Sequence, residues 1–149
     1  MIGEKVRLRG RVFRAAVQLI ANAIVWILVP IVISSFIARS MPNIPLANPA
    51  FIYAFGATIT GLQVLGALTE GTAVSVVFVS GGDLASAFYI WEALEGGALS
   101  ITTAGITATV GFRTLLFLFM LPSLFGAVKA PLMFLLEHSE AARPAPELP

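Results

Sequence analysis

Residues 72–113 read TAVSVVFVSGGDLASAFYIWEALEGGALSITTAGITATVGFR, and two charges within them, Asp83 and Arg113, decide how the chain is arranged. The part from 72 to 91 has the length of a bilayer-crossing helix, about 20 residues, yet Gly81, Gly82 and Asp83 fall near its middle. A charged side chain at the centre of a spanning helix costs roughly 2.5 to 3.5 kcal/mol on insertion scales, so such residues pair or face a watery cavity. Arg113 is the expected partner. If 99–122 forms the next helix, the acid lies about eleven residues from the cytoplasmic start of its span and the base about eight from the cytoplasmic end of the next. At a rise of roughly 1.5 Å per residue their depths then differ by about 4 to 5 Å. A second reading stays open, in which 49–79 is one long tilted helix and Asp83 caps the start of a short one stopped by Gly96 and Gly97.

Working outward, the composition settles the class. Of 149 residues 58% are hydrophobic and 11% charged, against roughly 25% charged in soluble domains. The sequence therefore predicts an all-α polytopic integral membrane protein with about four transmembrane helices, at 13–38, 49–69, 72–91 and 99–122. A basic N-terminal segment at 1–12 precedes a helical membrane domain at 13–138, and a short proline-rich tail at 139–149 is expected to be mobile. The apolar run 12–37 is too long for the core of a cleavable signal. Lys5, Arg7, Arg9, Arg11 and Arg14, five of the nine basic residues, cluster at its start. By the positive-inside rule this end is cytoplasmic and the protein belongs in the cell membrane, with those side chains meeting anionic lipid headgroups rather than nucleic acid.

Polar residues within the apolar runs mark faces that prefer protein to lipid. Gln18 and Asn22 are four apart and share one face of the first span; Gln63 lies near the middle of the second. Pro30 is expected to kink the first helix, with Ser34 and Ser35 near the freed carbonyl. Asn48 reads as an N-cap ahead of Pro49, and Gly71 as the left-handed residue ending a helix. From Leu99 onward, Ser100, Ala104 and Ala108 recur every four residues, as do Thr103, Thr107 and Gly111. As a helix, this segment presents two small faces for close packing, or a threonine-lined polar path through Thr103 and Thr107. After Pro122 the sequence allows an interfacial helix at 123–138 or a kinked crossing at 114–136, and the interfacial helix keeps Lys129 and His138 on the cytoplasmic side.

Chemistry is mostly excluded. There are no cysteines, and a lone His138 cannot supply paired imidazoles, so neither a metal site nor a haem cofactor is expected. No HExxH, phosphate-cradling loop or nucleophile–base pair is present, so the protein is expected not to be an enzyme. Glu92 and Glu95 read as a solvated outer rim. Three functions fit. The first is a small homo-oligomeric channel or transporter that moves ions or protons past Asp83 and Arg113. The others are a non-catalytic subunit or assembly factor of a larger membrane complex and a structural subunit of a lipid-containing helical filament.

Overall fold

The computed structural model describes residues 2–40, 48–103 and 106–141. Helices α1 (Ile2–Ala23) and α2 (Val29–Ser40) join through a π-turn, Ile24–Leu28, into one long rod. Then come α3 (Pro49–Leu68), α4 (Ala73–Ala93), a hairpin of β1 (Ala98–Thr103) and β2 (Ile106–Gly111), and α5 (Arg113–Ala141). Four helices are long and apolar enough to cross a membrane: Arg9–Ser40, Pro49–Leu68, Ala73–Ala93 and Arg113–Leu136. They pack in a row, α1 on α3, α3 on α4 and α4 on α5, without α1 folding back on α5 to close a bundle.

The ends form where local chemistry directs. Asn48 Oδ1 accepts from the Ala50 N–H at 2.9 Å with Pro49 as the first helical residue, so the freed donors at the start of α3 are met at once. Gly71 takes φ +85° between α3 and α4, and Thr72 caps α4. Helix α4 then runs unbroken through Gly81, Gly82 and Asp83, so Asp83 is a mid-helix residue and not a cap. The glycines serve proximity here. A Cβ on Gly82 would stand 3.1 Å from Gln63 Nε2, tighter than ordinary contact.

Residues 99–103 and 106–111 do not form a helix. They pair as an antiparallel hairpin, with Ser100 opposite Thr109 and their hydroxyls 3.0 Å apart. The physical reason is that a four-residue repeat of small residues is also a two-residue repeat, and the segment is dense in β-branched residues: Ile101, Thr102, Thr103, Ile106, Thr107, Thr109 and Val110. Glu95, Gly96 and Gly97 in succession take positive φ, which turns the chain sharply out of α4 into the strand. The Phe112 N–H returns to the Gly97 carbonyl at 2.7 Å, tying the start of α5 to the end of α4.

Helix α5 is continuous through Pro122 and Pro131, so there is no separate interfacial helix at 123–138. Each proline removes the donor for the carbonyl four residues earlier. For Pro131 that carbonyl belongs to Ala127, and Ser80 Oγ of α4 donates to it at 2.9 Å. Pro30 is relieved differently. The π-turn shifts the ladder, with the Val29 N–H bonding to the Ile24 carbonyl, and the Trp26 carbonyl faces Gly56, where a Cβ would lie 2.8 Å from it. Trp26 also meets Tyr89 edge-on at 5.6 Å, and Phe51 stacks on Tyr89 at 5.5 Å. These rings fill the row beyond the π-turn.

Candidate functional site: a polar chain across the helix row

Side-chain hydrogen bonds cross the row at mid-helix. Gln18 Nε2 of α1 donates to Gln63 Oε1 of α3 at 3.1 Å, and Gln63 Nε2 donates to Asp83 Oδ1 of α4 at 2.9 Å. The fourth helix contributes an absence of side chain. A Cβ at Gly126 of α5 would overlap the Asp83 carboxylate, so only glycine leaves room for Oδ2 there. Thus Gln18, Gln63, Asp83 and Gly126 put one residue from each of the four long helices into one connected layer.

The sequence favoured this layer in part. Gln18, Gln63 and Asp83 meet, but Arg113 does not join them. Because 99–111 is a hairpin, Arg113 becomes the first residue of α5, exposed at the far end and packed beside Gly97, where a Cβ would stand 2.8 Å from its Cα. The expected Asp83–Arg113 ion pair is absent, and Gln63 occupies the position beside the carboxylate. Thr103 and Thr107 lie in β1 and β2, in the hairpin and not in a helix. Asn22 is half-buried on α1, one turn beyond Gln18.

At the basic end, Arg14 Nη1 bonds both oxygens of Glu70, at 2.6 and 2.7 Å. With the partners 65% and 50% exposed, the ion pair is a surface tie worth about 1 kcal/mol or less. Arg11 is half-buried, its guanidinium reaching toward Gly71, and Arg9 is exposed. Lys5 and Arg7 belong to the first turns of α1, but their side chains lie outside the described ones. His138 lies in α5 but its side chain, like the tail at 142–149, falls outside what the structure describes. Among the described residues, no group of His, Asp and Glu side chains converges to hold a metal ion.

Sequence reasoning missed Glu70, Ser80, Thr60 and Gly126. Thr60 is 5% exposed and its Oγ1 has no hydrogen-bond partner. Nothing in the local sequence distinguishes Gly126 from other glycines; its role comes from the carboxylate on a neighbouring helix. Comparison with protein-family models, curated proteins and solved structures finds no match for this chain.

Proposed function

We propose that the protein is a small membrane-embedded transport protein that binds a proton or a monovalent cation at Asp83. The observation that carries this is the asymmetry of the carboxylate: Oδ1 accepts one bond from a neutral amide, while Oδ2 rests against Gly126. A carboxylate amid apolar helices, with no cation among the described residues paired to it, is stabilised when a proton or a positive ion neutralises it. One carboxylate matches one positive charge. That favours a monovalent ligand over a divalent one, which demands more oxygen donors.

The row has two open faces, so a conduit needs a second wall, and further copies of the chain are the simplest source of it. On this reading the protein sits in the cell membrane as a homo-oligomer, with its basic end cytoplasmic and Arg9, Arg11 and Arg14 at the anionic headgroups. The test is flux in vesicles reconstituted with purified protein, read by an internal pH dye under an imposed gradient, with sodium and potassium gradients in parallel. Asp83→Asn is expected to reduce flux at least tenfold, while Glu70→Gln, on the exposed turn, leaves it within twofold. Equal flux through wild type and Asp83→Asn rules the reading out.

A second reading has its own support. The outward residues Phe117, Leu118, Phe119, Phe125 and Val128 of α5 are exposed, and so are Ile20, Val25 and Val32 of the α1–α2 rod. Broad apolar edges of this kind also suit a non-catalytic subunit of a larger membrane complex. Purification in mild detergent separates the two: copies of one chain favour the transporter, and stoichiometric foreign chains the subunit.

A further inference from the structure

Arg14, Gln18 and Asn22 follow one another along α1 at one-turn intervals, and the first two have partners within the chain. Arg14 bonds both oxygens of Glu70, and Gln18 bonds Gln63. Asn22 is half-buried, and among the described residues its side-chain amide has no hydrogen-bond partner. It lies near the middle of the 32-residue apolar stretch Arg9–Ser40. Acyl chains offer an amide neither donor nor acceptor, so at that depth of a spanning helix its partner has to come from protein.

The surface beside Asn22 is shaped for another helix. Phe13, Val17 and Ala21 make one ridge of residues four apart, Arg14, Gln18 and Asn22 make the next, and an open groove is lined by these six. All of them belong to α1, so no other helix of the same chain fills it. Furrows between ridges of this spacing are where a second helix seats its own ridge, and the small Ala21 lets backbones approach there.

The occupant that matches is a second copy of this chain. A primary amide carries donor and acceptor together, so two identical amides bond each other reciprocally. Copies inserted in the same sense are related by a two-fold axis along the membrane normal, which puts Asn22 of each at one depth by symmetry. Charge does not oppose the pairing, because Arg14 at the other end of the groove is already neutralised by Glu70 within each chain. We propose that two copies pack α1 against α1 along this groove, with Asn22 hydrogen-bonded to its counterpart. The contact rests on the reading of the chain as a membrane homo-oligomer and names the face through which copies meet. Transport at Asp83 plays no part in it.

The chain has no cysteine, so single cysteines report cleanly. Val17→Cys and Ala21→Cys, on the apolar ridge of the groove, are compared with Leu19→Cys, two residues from each and so on the opposite side of α1. In the single chain Val17 and Leu19 are equally open, 51% and 49% exposed, so accessibility alone gives equal rates. With copper phenanthroline in reconstituted vesicles, disulfide-linked dimers are expected at least tenfold faster at 17 and 21 than at 19. By sedimentation equilibrium in mild detergent, Asn22→Leu is expected to weaken self-association about tenfold, and Asn22→Gln, which keeps the amide, less than threefold. Linking no faster at 17 and 21 than at 19, or Asn22→Leu associating within twofold of wild type, overturns the contact. In native membranes, a cross-link from residue 21 to a foreign chain in place of the dimer also overturns it. If Asn22→Leu fails to insert, the linking rates decide alone. Neither measurement uses flux, so linked pairs without Asp83-dependent flux remove the transport reading alone, and Asp83-dependent flux from a chain that does not link here removes this contact alone.

Discussion

Placing a methyl group at Gly126 tests the helix row at its tightest polar contact. In Gly126→Ala the new Cβ overlaps the Asp83 carboxylate, and an aspartate side chain is too short to swing clear while keeping its 2.9 Å bond from Gln63. Two terms oppose folding: overpacking, about 1 to 3 kcal/mol, and loss of a hydrogen bond to a charged or polar group, about 1 to 3 kcal/mol. One favours it, because alanine is better than glycine in a helix by up to about 1 kcal/mol. The net expectation is destabilisation of about 1 to 5 kcal/mol. In an Asp83→Ala background the obstacle is gone and only the propensity term remains, so the same Gly126→Ala change is expected to be neutral or stabilising by up to about 1 kcal/mol. The assay is reversible unfolding in mixed micelles, followed by far-UV circular dichroism and by the fluorescence of Trp26 and Trp91. A coupling energy below about 0.5 kcal/mol, the usual limit of additivity for independent sites, refutes the contact.

Four further substitutions probe the same framework by the same unfolding assay. Ser80→Ala strands the Ala127 carbonyl that Pro131 left without a donor, so a loss of about 1 to 2 kcal/mol is expected. Pro131→Ala, which restores the backbone donor, should shrink that loss to within about 0.5 kcal/mol, and an unchanged loss contradicts the pairing. Glycines of α3 should divide by their surroundings. Gly56→Ala meets Ile27 and the Trp26 backbone and is expected to destabilise by about 1 to 3 kcal/mol, while Gly61→Ala has nothing within 4 Å and should stabilise slightly; the reverse order would mean that α1 does not lie on α3 as described.

The four long helices were legible because length and hydropathy suffice for them, except that the fourth was assigned to 99–122 instead of starting at Arg113. That one error displaced the candidate site. With 99–111 taken as helix, Arg113 lands at the depth of Asp83; with the hairpin in its place, Arg113 is the first residue of α5. A period of four cannot discriminate helix from strand when small residues hold both face positions, and the β-branched content carried the deciding information. Gln18 and Gln63 were readable as protein-facing from polarity alone. Their bond to each other and to Asp83 needed the register of three helices, which no local pattern encodes. The carbonyl exposed by Pro131 follows from the chain by counting four residues back, but the donor that answers it, Ser80, is set only by how α4 meets α5.

A single-layer row explains why the polar chain lies where it does. Lipid gives helices no hydrophobic reason to associate, so a row of this kind, if it spans a membrane as proposed, depends on close approach at small residues and on polar bonds between neighbours. Gly56 supplies that approach between the π-turn of the α1–α2 rod and α3, Gly66 and Gly82 between α3 and α4, and Gly126 between α4 and α5. The bonds from Gln18 to Gln63 and from Gln63 to Asp83 tie the first three helices, and the carboxylate itself fills the place left by Gly126. Asp83 therefore serves the packing of the row and, on the proposed function, the binding of the ion. Both uses act through the same two oxygens. Protonation weakens the acceptor that Gln63 bonds to and alters what lies against Gly126, so loading and unloading Asp83 must shift the balance of contacts on α3 and α5 together.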